Sequence, residues 1–116
     1  MANYVHEINL ELGYPTVDEA LRRLRSELDA VRRLHSPAVK VIHGYGSSGR
    51  GGKIRTAVRK QLREELAQGR IGAVIRGEDF SIFNEATRRA FSRCGALRQD
   101  PDLDGYNNGV TFVIFQ

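Results

Sequence analysis

The chain has one cysteine, three prolines and one methionine. It has no apolar run of membrane length, no tandem repeat and no low-complexity segment beyond one glycine-rich stretch. A lone Cys94 rules out an internal disulfide and fits a reducing compartment. Without a membrane-length run or a recognisable signal peptide, the expectation is a cytoplasmic protein with no membrane partner. No group of His, Cys and Asp has metal-ligand spacing, and no serine or cysteine sits in a nucleophile motif. No metal and no cofactor is therefore expected.

The chain is basic. Its 116 residues hold 18 Lys and Arg against 14 Asp and Glu, for a formal charge of +4 and a pI near 9.6. Arginine carries most of the excess, and its rigid fork suits phosphate, which points mildly toward nucleic acid. A solvated basic surface is the plainer reading of so small a charge. The length predicts a single domain over residues 1–116 with one real core.

The densest signal lies at residues 39–55, VKVIHGYGSSGRGGKIR. A short apolar run, a glycine-rich turn and a basic helix start make the usual build of an anion site, with free backbone N–H groups and a favourable helix dipole. Gly44, Tyr45, Gly46, Ser47, Ser48, Gly49, Arg50, Gly52, Lys53, Arg55 and Arg59 are the candidate phosphate-binding residues. Tyr45 or Tyr14 could stack on an unpaired base.

Period-two alternation over residues 4–12 predicts a strand with one covered face. Thr16 and Glu19 form a candidate capping box for a helix over residues 17–34, whose apolar positions repeat at three and four. A short apolar strand over residues 39–43 precedes the loop. A second amphipathic helix follows through Ile54, Val58 and Leu62, then a third strand over residues 71–76. Residues 82–94 have helical spacing, residues 98–109 are polar and turn-rich, and residues 110–115 form an apolar closing strand. The order β-α-β-α-β-(α)-β predicts an α/β two-layer sandwich, a mixed four-stranded sheet with helices on one face.

Gly44-x-Gly46-x-x-Gly49 matches a dinucleotide fingerprint as letters, with Glu78 where a ribose-binding acid would stand. Gly51, Gly52 and Arg50 separate it from the expected helix start, and the chain is short for such a fold. Binding of a nucleotide or dinucleotide is thus the alternative reading. Asp100, Asp102, Asp104 and Gly105 copy half an EF-hand loop, but Thr111 replaces its closing acid, so an acidic surface turn is expected. His43 enters the glycine loop from a buried strand, where it could pin the loop or move a proton. His6 reads as a satisfied core histidine, and Cys94 as a small buried hydrophobe.

Leu10-Glu11-Leu12, Thr16-Val17-Asp18-Glu19-Ala20-Leu21 and Val41-Ile42-His43-Gly44-Tyr45-Gly46 ahead of Lys53-Ile54-Arg55 together resemble the Smr (small MutS-related) domain. Asn108-Gly109-Val110-Thr111-Phe112-Val113 is similar to that family's last glycine turn and strand. The resemblance implies a two-layer α/β fold that binds DNA or RNA, with members that nick or cleave it without an obvious metal. Glu11 and His43 are then the candidate catalytic residues. Residues 78–108 read as a family-atypical insertion. The family's Leu-Asp-Leu-His-Gly motif is altered here, with Gly13 and Tyr14 in place of its histidine and glycine, so binding without cleavage is one expectation. A monomer or weak homodimer is expected, with room for an unidentified protein partner.

Overall fold

The computed structural model describes residues 4–45 and 50–116, without the side chains of residues 50 and 51. Four strands and three α-helices follow one another as β1 (Val5–Asn9), α1 (Val17–Arg33), β2 (Ala38–Ile42), α2 (Arg50–Ala67), β3 (Ala73–Arg76), α3 (Glu85–Arg93) and β4 (Val110–Ile114). Short 3₁₀ turns at Gly77–Asp79 and Gly95–Gln99 flank α3.

The sheet order is β1-β2-β4-β3. β1 and β2 run parallel, and β4 is antiparallel to both of its neighbours. The sheet is therefore mixed, as the element order predicts. β4 is central, which explains why its five residues are all buried and apolar on both faces except for Thr111.

The capping box of α1 forms as its sequence dictates. Thr16 Oγ1 accepts from Glu19 N at 3.1 Å, and Glu19 Oε1 accepts from Thr16 N at 2.9 Å. Ala20, Leu24, Leu28 and Val31 on α1 join Ile54, Val58 and Leu62 on α2 over Ile8, Val39, Val41 and Val113. These are alternate residues of the strands, so α1 and α2 form the expected helix layer on one face.

The other face is covered too. Phe80, Ala90, Phe91 and Leu97 pack on Ala38, Ile75, Val110, Phe112 and Ile114, with Phe80 stacked on Phe112 at 4.0 Å between ring centroids. The segment from Gly77 to Asn108 thus adds a partial third layer, where the sequence pattern predicts helices on one face. Phe112 and Ile114 are the physical reason: large apolar side chains on that face need cover. Asn84 caps α3 by accepting from Thr87 N at 2.9 Å, and Cys94 is buried in this layer.

α2 begins at Arg50, directly after the glycine run, so Gly51 and Gly52 lie inside its first turn and not ahead of it. The first helical N–H groups have no intrahelical partner in any helix, so glycine there loses little. The predicted separation between fingerprint and helix therefore does not exist. Among the described residues, no helix is long and apolar enough to cross a membrane.

Candidate nucleic-acid interface

β1, β2 and β3 all end at the edge of the sheet where β4 begins. That edge gathers the β1–α1 turn, the start of the β2–α2 loop, the Gly77 turn and the Asn107–Gly109 turn. Open α/β sheets place their ligands outside the carboxyl ends of parallel strands, and this is that edge.

The loop leaves β2 through His43 and Gly44. Both of their N–H groups donate to Gly109 O at 3.0 Å, so one carbonyl gathers the start of the loop onto β4. Gly44 has a φ of +79°, which favours glycine. A Cβ on Gly44 would also lie 2.6 Å from Glu11 Oε2, so the exposed Glu11 carboxylate rests against this backbone. Tyr45 lies over Gly109, its Cδ1 2.9 Å from where a Cβ would stand, and the ring is 60% exposed. Gly77 has no room at all: a Cβ would come within 1.9 Å of Asn107 O.

His43 lies beneath the loop and is 1% exposed. Its Nδ1 is 2.8 Å from Gly44 O, which can only accept, so Nδ1 carries the proton. Nε2, 2.8 Å from Thr111 Oγ1, then accepts from that hydroxyl. Thr111 Oγ1 in turn accepts from Arg59 Nε at 3.0 Å. Burial, against the Gly44 hydrogen bond and with the nearby Arg59 and Arg55 charges, pushes the His43 pKa down to about 4. The ring is therefore neutral near pH 7, with both nitrogens engaged.

Arg59 is spent on the protein itself. Its guanidinium grips Glu78 in a two-point pair, at 2.9 Å from Oε2 and 2.7 Å from Oε1. It also donates to Val110 O at 3.2 Å. Burial would raise the Glu78 carboxyl, but the Arg59 hydrogen bond, a backbone hydrogen bond and the Arg59 and Arg76 charges together hold it below its ordinary range. Glu78 is thus tied to an arginine and is not free to take a ribose.

Lys53 is exposed and Arg55 half-buried on the first turns of α2. Arg55, Arg59 and Arg63 then line an open cleft of about 400 Å3 with Arg76, Glu78 and Asn108. Arg63 belongs to the basic outer side of α2 that the sequence pattern already suggests, whereas Arg76 and Asn108 join it only because α2 meets the β3 end and the β4 turn. Tyr14, at φ 48°, is 84% exposed on the β1–α1 turn behind Gly13. Gly46, Ser47, Ser48 and Gly49 lie outside the described residues, as does the Arg50 side chain.

The acidic turn is a surface feature only in part: Asp104 and Gly105 are exposed, but Asp100 and Asp102 turn inward. Asp100 and Asp102 clasp the buried Lys40 on the opposite face of the sheet, at 3.0 Å and 2.5 Å. Among the described residues no group of His, Cys, Asp and Glu could hold a metal ion. His6 also differs from expectation, since its buried Nδ1 has no hydrogen-bond partner among the described residues.

The fold and edge define a small mixed α/β domain with an arginine-lined face at one end of its sheet. A family model described as the Smr domain matches residues 10–79. The chain belongs to the Smr domain family, whose members in general bind nucleic acid. Among solved structures, the Smr domain of Thermus thermophilus MutS2 is similar in fold, with a TM-score of 0.58 and 24% identity, covering 96% of this chain and 98% of that one. No curated protein matches the sequence.

Proposed function

We propose that this domain binds DNA or RNA through the phosphate backbone at the edge where β1, β2 and β3 end. The observation that carries the reading is the close approach there of Gly44, Tyr45 and Gly109, beside a cleft in which Arg55, Arg59, Arg63 and Arg76 meet. Backbone amides from Gly44 to Gly52, with Arg50, Lys53 and Arg55, hold phosphates, and Tyr45 or Tyr14 stacks on an unpaired base. His43 and Arg59 act from below as positioning residues that brace the loop against β4.

A second reading, nicking of the bound strand, is favoured by one observation: the exposed Glu11 carboxylate lies against Gly44. Glu11 would orient or deprotonate the attacking water or a ribose 2′-hydroxyl, while Lys53 or Arg55 stabilises charge on the phosphoryl group. Gly13 stands where the family carries histidine, so binding is the primary reading and cleavage the secondary one.

The test is a titration of labelled single-stranded, duplex and branched DNA and RNA at two salt concentrations, each mixture then run on a denaturing gel. Affinity should fall with salt, and Lys53→Ala should lower the slope by about 0.7 to 0.9, because one phosphate is no longer neutralised. Salt-independent binding, or none, overturns the reading. New strand ends that persist in Glu11→Gln would assign cleavage to something other than Glu11.

A further inference from the structure

The cleft between α2 and the end of β3 has a composition that folding alone does not explain. Arg55, Arg59 and Arg63 stand at i, i+4 and i+8, one above another along α2. Like charges at that spacing destabilise a helix, and a polyanion lying along the column would relieve the repulsion. Arg76 enters from the end of β3 and faces the same space.

The arginines are not equivalent. Arg59 is saturated by Glu78, Thr111 and backbone carbonyls, and so forms the floor. Arg76 holds Asp79 at 2.8 Å through Nε, and its terminal nitrogens have no hydrogen-bond partner among the described residues. Arg55 and Arg63 have no ion-pair partner among the described residues. Asn108 adds a neutral polar group at the rim next to the Gly109 turn.

The geometry points to a second phosphate subsite in this cleft, in which Arg55, Arg63 and Arg76 hold a phosphodiester phosphate of the strand bound at the glycine loop. It rests on the nucleic-acid reading above and extends it. The strand leaves the loop along α2, passes over the Arg59–Glu78 pair and reaches the end of β3. Ten residues of helix, from Lys53 beside the loop to Arg63 in the cleft, span about 15 Å at 1.5 Å per residue, so the two subsites belong to different phosphates of one strand.

The experiment measures the affinity of the whole chain for a labelled single-stranded oligonucleotide across a salt series. Three variants are compared with wild type: Arg63→Gln with Arg76→Gln, Lys53→Ala, and Arg22→Gln with Arg89→Gln. The last removes the same charge from exposed positions on α1 and α3. The cleft variant should bind about tenfold more weakly and show a salt slope shallower by about 0.7, as expected for one single-strand phosphate. The Arg22/Arg89 variant should stay near wild type. A cleft variant equal to wild type, while Lys53→Ala weakens binding, overturns the subsite and leaves the glycine-loop reading standing. Equal weakening in the Arg22/Arg89 variant also overturns it, because net charge would then explain the effect. No salt-dependent binding by wild type overturns both readings together. Arg63 and Arg76 are exposed, and matching thermal unfolding of all variants confirms that the comparison is between folded proteins.

Discussion

Two polar networks cross this sheet, one on each face, and both end at the Asn107–Val110 turn. On the α1/α2 face, Glu78, Arg59, Thr111 and His43 run in a chain to Gly44. On the other face, Lys40 is clasped by Asp100 and Asp102, and Asp102 accepts from Asn107 Nδ2 at 3.0 Å. The first network opens onto the arginine cleft and the loop. The second is closed: Lys40 is 5% exposed and lies over the Phe112 ring at 5.7 Å. Similar chemistry thus does two jobs. One braces the surface proposed to bind nucleic acid, and the other fastens the segment from Gly77 to Asn108 to the sheet.

The titrations separate the networks further. Burial opposes the charge on Lys40 and on Asp102, yet the hydrogen bonds and paired charges together outweigh it, with Asp100 helping to raise the lysine and Asn107 to lower the acid. This network is charged and self-compensated. His43 is the opposite case, a neutral ring whose burial depresses its pKa.

Removing the clasp should have the largest effect. Lys40→Ala leaves two carboxylates without their cation in a covered site, and is expected to cost about 3–5 kcal/mol in urea unfolding. A loss under about 1 kcal/mol, the worth of a surface pair, would erase the contrast between a closed network and an open one.

Acid should separate the two next. A histidine with a depressed folded pKa supplies its full stability above the unfolded value near 6.5, and that stability drains as pH falls toward about 4. The loss over this window is roughly 3 kcal/mol. Asp102 is held below its ordinary 3.8, so the clasp gives way only at lower pH. Unfolding free energy measured from pH 7 to pH 4 should therefore fall in wild type and stay nearly flat, as far as His43 is concerned, in His43→Gln. Parallel curves would show that His43 is not the group that titrates.

Thr111→Val is the smallest of the three and the sharpest. It keeps the shape but leaves Arg59 Nε and His43 Nε2 facing each other without the hydroxyl between them, a cost of about 2 kcal/mol. Because this network touches Gly44, the variant should also weaken nucleic-acid binding while still folded. An equal loss of affinity in Lys40→Ala, measured where both proteins are folded, would break the division of labour.

Local signals made much of this legible in advance. The Thr16–Glu19 box, the α1 stripe and the strand alternation depend on neighbours within a few residues, so they could be read directly. The start of α2 could not, because glycines at residues 51 and 52 suggest a loop to any local rule, while the start of a helix tolerates them. Nor could the partial third layer: the apolar spacing of residues 82–94 shows a helix but not which face it covers. That choice follows from Phe112 and Ile114 pointing away from α1 and α2.

The residue types at the basic edge, the His-Gly loop and the family likeness were properties of the sequence itself, because chemistry and short-range spacing carry them. Only the tertiary structure decided what each charged group does. Arg59, Glu78 and Thr111 are far apart in the chain, as are Lys40 and Asp100, and a sequence does not show which charges neutralise each other. Burial then made His43 neutral, turned Asp100 and Asp102 inward to Lys40, and left Arg55, Arg63 and Arg76 facing one cleft. Desolvation and pairing are properties of where side chains meet, and that is set by packing across the sheet.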